Sequence, residues 1–258
     1  EPNAGSDAGN TQTQAVLDGE HYVINGEKSF CTNAGVSTVL IFTAVIIEKD
    51  QEKRISAFVV DSNTPGISFS PPEKKMGWCA SDTRSIFFKN MRIPKSAVLG
   101  NSKKGFKQFL HTLTSGRITI SALSIGTAQG AYDKALAYSH EREAFGKSIN
   151  QFQGIAFKLA DMATQIEASR HLVYHAAWIK DQGLPVIKEA AMAKLFASEV
   201  AMKVTTEAIQ IFGGYGYIKE YDVERFFRDA KILEIGEGTS EVQRMIISKE
   251  ILKSFQSV

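Results

Sequence analysis

Short runs of alternating apolar and polar residues, separated by turn dipeptides, fill the first hundred residues of the chain. Runs at 15–17 and 22–24 lie beside Asp18-Gly19 and Asn25-Gly26, two dipeptides typical of tight β-hairpin turns. Further strand candidates are 39–47, 55–60, 67–70 and 84–89. Several short strands at this spacing predict a small β-barrel or sandwich.

After Pro94 the pattern changes to one of helices. No proline occurs between Gly105 and Pro185, and alanine becomes abundant. Two sets of apolar residues recur every three or four positions, as on the buried face of a helix. The first set is Phe152, Ile155, Leu159, Met162, Ile166, Val173 and Ala177, and the second is Ile187, Ala190, Ala193, Ala197, Ala201, Val204, Ala208 and Ile211. We therefore predict an α+β chain with a β domain at 1–100 and an antiparallel four-helix bundle at 101–258.

Composition excludes several classes of protein. The 258 residues are 43% hydrophobic and 22% charged, as in globular proteins, and the formal charge of +2 is spread without a basic stripe for nucleic acid. No apolar run approaches the roughly 18 residues of a membrane span. The two cysteines form neither a disulfide framework nor a metal motif, and the helical pair His171 and His175 is interpreted as structural.

Glu237 is the strongest candidate for chemistry. It lies between Gly236 and Gly238, where one helical run stops and another begins, and Thr239 is a good N-cap residue. A carboxylate at such a break can point into a cleft and act as a general base. A solvated glutamate in an ordinary interhelical loop is the alternative.

Four other segments have both a functional and a plain structural interpretation. Residues 1–7 form a polar loop in which Ser6 could meet a ligand, and residues 30–33 close a strand with an aromatic and a hydroxyl. Arg142 stands at a predicted helix end capped by Gly146, where it could hold a phosphate or remain solvated. The glycine-rich segment 212–217 follows a helix and not a strand, so it is no Rossmann fingerprint; its glycines would instead let a cofactor approach the backbone.

Taken together, these segments closely resemble the acyl-CoA dehydrogenase family of flavoproteins. The matching stretches, in order, are EPNAGSD (1–7), VINGEKSFCTN (23–33), MGWCASDTRSIFF (76–88), GRITISALSIGTAQGAYDKALAYSHEREAFGK (116–147), QFQGIAFKLADMA (151–163), AIQIFGGYGYIKEYDVERFFRDAKI (208–232) and EGTSEVQR (237–244).

The resemblance implies FAD-dependent α,β-dehydrogenation of a short- or medium-chain acyl-CoA to the trans-2-enoyl-CoA. Glu237 corresponds to the α-proton-abstracting base of most members, and its backbone N–H to a donor for the thioester oxygen. A minority of members carry the base just before the arginine matched by Arg117, but that position is Gly116 here. Members also have an N-terminal helical domain that this chain does not match.

The same correspondence implies the binding residues. Residues expected to contact FAD are Phe30, Thr32, Arg142, Phe145, Gln153, Gln210, Gly213, Gly214, Thr239 and Glu241. Residues expected near the CoA thioester are Ser6, Arg117 and Gly238.

The resemblance further implies an electron-transfer flavoprotein as electron acceptor and a homo-oligomer, dimer or tetramer, in which Arg142 reaches FAD across an interface. It implies the cytoplasm of a bacterium or the mitochondrial matrix of a eukaryote, and no signal peptide is visible. Two alternatives stay open: an acyl-CoA oxidase-like activity, and a truncated, non-catalytic oligomerising fragment.

Overall fold

The structure is a computed structural model that describes residues 1–48, 54–102 and 104–255. Contacts divide the chain into a β unit, Glu1–Thr112, and a helical unit, Leu113–Val258. The domain boundary after residue 100 stays a prediction. The α+β fold class is confirmed by the strands and helices of these two units.

The β unit contains a six-stranded sheet in the described residues. Its strands are β1 Gln14–Asp18, β2 His21–Thr32, β3 Val39–Ile47, β4 Arg54–Asp61, β5 Ile67–Phe69 and β6 Thr83–Pro94, in the order β4-β3-β1-β2-β6-β5. Neighbouring strands pair antiparallel except β1 and β3, which are parallel.

Alternate residues of these strands form the core of the β unit. Strand β3 shows the period of two most clearly, because Leu40, Phe42, Ala44 and Ile46 are buried while Val39 and Ile41 are exposed. The rings of Phe42 and Phe58 stack with centroids 5.6 Å apart. The predicted strand 39–47 is confirmed to the residue.

The predicted hairpin turn at Asn25-Gly26 is wrong. Strand β2 continues through it and pairs with β1 on one side and β6 on the other, with a register shift between Ile24 and Gly26. Gly26 has φ +147°, and a Cβ there would lie 2.7 Å from the Cα of Thr13. The glycine therefore allows an irregularity in the pairing of β2 with β6 and the close approach of Thr13, the residue before β1.

The helical unit contains five α-helices among the described residues. They are α1 Gly105–Glu141, whose first turns belong to the β unit, α2 Gln153–Asp181, α3 Ile187–Phe212, α4 Val223–Ile235 and α5 Ser240–Phe255. The glycine-flanked break at Glu237 separates α4 from α5, as predicted. No helix of the described part of the chain is long and apolar enough to cross a membrane.

Helix α3 is central, since it packs against α2, α4 and α5. Its predicted alanine stripe is buried, except that Ile187 at its start is 44% exposed. On α2 the buried alanine is Ala176 and not the predicted Ala177.

The predicted helix cap at Gly146 is also wrong. Helix α1 ends at Glu141, and the next residues form a two-stranded hairpin of β7 Glu143–Ala144 and β8 Lys147–Ser148. Its turn residues Phe145 and Gly146 have φ 51° and 82°, as a two-residue hairpin loop with left-handed positions requires. Gly146 does adopt positive φ, as a helix cap would require, but it does so in the turn between two strands.

Candidate active site

The break between α4 and α5 places Glu237 in an uncommon backbone conformation. The Gly236 N–H still donates to the Ile232 carbonyl, at 2.8 Å, and then Glu237 and Gly238 take φ 56° and 90°. The Thr239 hydroxyl accepts the Val242 N–H at 3.3 Å and so caps the start of α5. Positive φ is unfavourable for a glutamate, and backbone strain of this kind is often found at functional sites.

The side chain of Glu237 lies against helix α1. A Cβ built on Gly116 would meet its Oε2 at 2.6 Å, so the carboxylate fills the space beside that glycine. Arg117, only 6% exposed, follows on the same helix. Its Nη1 donates to the Thr114 hydroxyl at 3.4 Å, and its buried Nε has no hydrogen-bond partner among the described residues.

Burial dominates the electrostatics of this carboxylate. Desolvation raises the pKa of Glu237 above its ordinary value, and the positive charges of Arg117 and Lys194 oppose that rise. Desolvation lowers the pKa of Arg117, with Glu237 opposing the change. A base with a raised pKa is a stronger proton acceptor once ionised, which suits the removal of a weakly acidic proton.

Two side chains that were not predicted from the sequence donate hydrogen bonds to the backbone of the break. Lys194 of α3, fully buried, donates from Nζ to the Gly238 carbonyl at 2.8 Å. Gln243 of α5, also fully buried, donates from Nε2 to the Gly238 carbonyl at 2.7 Å and to the Glu237 carbonyl at 3.2 Å. A signal for Lys194 existed, because this lysine lies on the alanine face of α3, four residues after Ala190.

A second group of predicted residues meets at the far end of the same unit. Arg142, Gly213 and Gly214 line a cavity of about 420 Å³ together with Tyr138, Ile149, Ile211, Phe212, Tyr215 and Ile218. The rings of Tyr138 and Phe212 stack at 4.1 Å, and the Arg142 guanidinium lies 5.7 Å from the Tyr215 ring centre.

The other predicted residues of the helical unit lie outside these two groups or at their edges. Phe145, 96% exposed, stands at the tip of the β7–β8 hairpin, while Gln153 opens α2 and Gln210 lies exposed in the last turn of α3. The carboxylate of Glu241 accepts hydrogen bonds from its own backbone N–H and from the Thr239 hydroxyl, and these lower its pKa.

Three predicted residues belong to the β unit, and all are exposed. Phe30 has φ 54° and is 76% exposed, in the irregular part of β2 between Lys28 and Cys31. Thr32 ends that strand, and Ser6 lies in the N-terminal loop. A bulky aromatic presented at positive φ is unusual and fits a surface that a planar ligand covers.

Among the described residues, no group of three or more histidine, cysteine or acidic side chains is arranged to hold an ion. The helical unit thus brings together Glu237, Gly238 and Arg117 at one place, and Arg142, Gly213 and Gly214 at another. Their roles remain predictions.

Comparison with known proteins identifies the family to which both units are similar. Residues 1–91 match the family profile "Acyl-CoA dehydrogenase, middle domain", and residues 103–252 match "Acyl-CoA dehydrogenase, C-terminal domain".

Individual relatives agree over almost the whole chain. "Probable acyl-CoA dehydrogenase YngJ" of Bacillus subtilis is 54% identical over 98% of this chain and 67% of its own length. "Caffeyl-CoA reductase-Etf complex subunit CarC" of Acetobacterium woodii is 46% identical over 98% and 67%. The solved structure of butyryl-CoA dehydrogenase from Megasphaera elsdenii is 47% identical, with a TM-score of 0.94 over 98% of this chain and 66% of that one.

The chain therefore spans about two thirds of the length of these relatives. Both of its units are matched, in the order in which the family has them. The chain belongs to the acyl-CoA dehydrogenase family of FAD-dependent oxidoreductases.

Proposed function

We propose that the protein containing this chain removes two hydrogens from the α and β carbons of a short-chain acyl-CoA, with Glu237 as the base. The observation that carries the proposal is the desolvated Glu237 carboxylate, presented from a strained break beside Arg117. The butyryl-CoA dehydrogenase to which the chain is 47% identical supports the short chain length.

The reaction breaks two C–H bonds. The α-proton passes to the Glu237 carboxylate, and the electron pair left behind becomes the new α,β double bond as the β-hydrogen leaves with its electrons. Bound FAD supplies the hydride acceptor. The product is a trans-2-enoyl-CoA, and Glu237 then returns its proton to solvent.

An α-proton beside a thioester is too weakly acidic for a carboxylate in water, so the site must supply more than a base. The backbone N–H of Glu237 is the proposed donor to the thioester oxygen, on which negative charge develops. Arg117 and Gly238 are proposed to lie near the thioester. Burial keeps water away from Glu237 and strengthens these interactions.

The residues present fit FAD. Arg142 places a guanidinium beside a cavity walled by aromatic rings, which suits a phosphate and a planar ring. A Cβ on Gly213 or Gly214 would meet no atom of the described part of the chain within 4 Å, so the backbone is open to a ligand there. We propose that contacts to FAD are made by Arg142, Phe145, Gln153, Gln210, Gly213, Gly214, Thr239 and Glu241 of the helical unit, some of them from a neighbouring subunit. For the β unit we propose Phe30 and Thr32 as FAD contacts.

An anaerobic visible spectrum tests this function. The protein, expressed from its complete gene, is incubated with FAD, desalted, and mixed with butyryl-CoA or octanoyl-CoA. We expect the retained flavin band to bleach with butyryl-CoA and less completely with octanoyl-CoA. A flavin band unchanged by either thioester would contradict the proposed reaction.

The reverse direction, reduction of a 2-enoyl-CoA, is a second candidate. The printed name of the 46% identical relative from Acetobacterium woodii supports it, since that protein is a caffeyl-CoA reductase subunit in an Etf complex. The same relative supports our proposal of an electron-transfer flavoprotein as redox partner. Reoxidation of dithionite-reduced flavin by crotonyl-CoA measures the reverse reaction, and oxygen consumption without another acceptor identifies an oxidase.

We also propose a homo-oligomer, dimer or tetramer. The exposed Arg142 and the 96% exposed Phe145 support it, because both are expected to complete a flavin site in another subunit. Light scattering of the flavin-loaded protein measures the state, and a flavin-saturated monomer would contradict this proposal.

A further inference from the structure

Lys194 is a buried charge that the proposed reaction leaves without a task. Its side chain is fully buried in the middle of α3, where Ala190 and Ala197 lie one turn away on the same face of the helix. Burying an ammonium is costly unless it is paired and hydrogen-bonded. Its hydrogen bond goes to the carbonyl of Gly238, the residue after the proposed base.

The Gly238 carbonyl is held by two donors. Lys194 Nζ lies 2.8 Å from the oxygen and Gln243 Nε2 lies 2.7 Å from it, so both acceptor positions of that oxygen are used. Gln243 reaches the preceding carbonyl of Glu237 as well, at 3.2 Å. Two consecutive carbonyls are thus fixed from the side of α3 and α5.

This double contact explains how Glu237 keeps its conformation. A glutamate at φ 56° persists only where the surrounding structure determines the backbone strongly. Fixing the carbonyls of Glu237 and Gly238 fixes the peptide planes that follow the base, and hence the direction of its side chain toward Gly116.

The charge of Lys194 acts on the same carboxylate. The groups that face Lys194 are Arg117 from α1, Glu234 from α4, Glu237 in the break and Glu241 from α5. Those that face Glu237 are Arg117 and Lys194. Lys194 is therefore one of two cations that favour the ionised, proton-accepting form of Glu237.

We infer that Lys194 is a positioning residue for the proposed base: it holds the Gly238 carbonyl through its ammonium and provides a positive charge that keeps Glu237 ionised. Gln243 shares the first task but not the second. The inference rests on the proposed role of Glu237. It means that Lys194, a residue outside the substrate site, influences the protonation of the Glu237 carboxylate.

The pKa of Lys194 fits this role. Desolvation lowers it from 10.5 to about 8, with the three carboxylates opposing the change and Arg117 reinforcing it. Lys194 is therefore mostly protonated at neutral pH and loses its charge above pH 8. In that range Arg117 is the cation, of the two that act on Glu237 in the described part of the chain, that keeps its charge.

A titration of the Glu237 carboxyl carbon tests the inference without turnover. Protein labelled with ¹³C-glutamate is followed by NMR against pH, and the Glu237 signal is assigned by its loss in Glu237→Gln. The variants are Lys194→Met, which removes the hydrogen bond and the charge, and Gln243→Met, a length-matched control that removes hydrogen bonds alone.

We expect the Glu237 midpoint to rise by about 1 pH unit in Lys194→Met and to stay within about 0.3 unit in Gln243→Met. In the unaltered protein a second inflection of the same signal is expected near pH 8, as Lys194 loses its proton. That inflection needs no variant, so it decides the matter even if Lys194→Met does not fold.

Rates of flavin bleaching by butyryl-CoA separate positioning from charge. Both variants are expected to lose at least about 10-fold in the maximal rate, because both loosen the base. Only Lys194→Met should also shift the acidic limb of the pH profile upward. An unmoved midpoint in folded Lys194→Met, or a missing second inflection, would overturn the inference. Failure of butyryl-CoA to bleach the unaltered protein would instead overturn the proposed function and leave the titration result standing.

Discussion

The carboxylate of Glu237 occupies the space that a side chain at position 116 would need, since a Cβ on Gly116 would lie 2.6 Å from Glu237 Oε2. The resemblance to acyl-CoA dehydrogenases implies that the base stands at one of these two positions in different members. In this chain they are neighbours in space, although 121 residues separate them (237 − 116). The glycine at 116 is what gives the acid at 237 its place.

Gly116→Ala is therefore expected to displace the base without unfolding the protein. The atom that the new methyl group meets is the end of a flexible side chain, so the carboxylate moves and the helix does not. We expect the rate of flavin bleaching to fall by about 10- to 100-fold. Gly126→Ala on the same helix is the control, because a Cβ there would meet no neighbouring atom of the residues described in the structure within 4 Å. The control should keep its rate and gain about 0.5–1 kcal/mol of stability; equal rates for the two variants would refute the contact.

Glu237→Gln should stabilise the protein at neutral pH. The pKa of Glu237 is raised in the folded state, so the folded protein binds more protons than the unfolded chain between the ordinary value of 4.5 and the raised value. Stability attributable to this group is thus present below pH 4.5 and lost as pH rises through the raised pKa. Melting temperatures of the two proteins should separate as pH rises from 4 to 7, with Glu237→Gln the higher at pH 7. A lower melting temperature for Glu237→Gln at pH 7 would contradict the sign.

Gly26→Ala should destabilise the β unit by about 3 kcal/mol, because it combines a backbone conformation reserved for glycine with a clash against Thr13. A Cβ there would lie 2.7 Å from backbone, which cannot give way as a side chain can. Gly19→Asn is the control, since Gly19 has φ 59°, a region that asparagine tolerates, and open space around it. Urea unfolding should show the difference, and similar midpoints for both variants would rule out the bulge as the constraint.

Arg142→Gln should weaken retention of FAD by at least about 10-fold, because a charge-assisted hydrogen bond contributes about 1.5–3 kcal/mol. The thermal stability of the flavin-free protein should change little, since Arg142 is exposed. Arg225→Gln is the matched control: Arg225 is an exposed arginine in α4 whose guanidinium pairs with Asp222 at 3.4 Å. Flavin fluorescence during titration measures both affinities, and an equal effect of the two changes would indicate a general loss of positive charge.

The sequence predicted the parts of the fold that local chemistry decides. Two glycines and a threonine mark the end of one helix and the start of the next near Glu237. Strand 39–47 alternates between buried and more exposed residues because one of its faces packs into the core. Asn25-Gly26 and Gly146 were misjudged because a glycine needed for positive φ has the same local signature in a turn, a bulge or a cap. Only pairing with β6 or with β8 decides between them.

The position of Glu237 in a helix break was predictable from the sequence, whereas the side chains that hold that break were not. Lysine is rarely buried unless it is paired. Without knowledge of a partner, a lysine among the alanines of α3 is therefore expected to be exposed. That partner is the carbonyl of Gly238, 44 residues further along the chain. Every residue has a backbone carbonyl, so the sequence does not indicate which one accepts the hydrogen bond. The role of Gln243 could not be predicted for the same reason, because it too donates to backbone carbonyls.

The most direct test of the central claim compares anaerobic single-turnover reduction of the bound flavin by butyryl-CoA in the unaltered protein and in Glu237→Gln. The amide keeps the size of the side chain but cannot accept a proton. We predict that the variant retains FAD and binds the thioester, while the rate of bleaching falls by at least about 10⁴-fold. In the unaltered protein, α-deuterated substrate should bleach the flavin more slowly than ordinary substrate. Bleaching of Glu237→Gln at a near-normal rate would show that another group takes the α-proton.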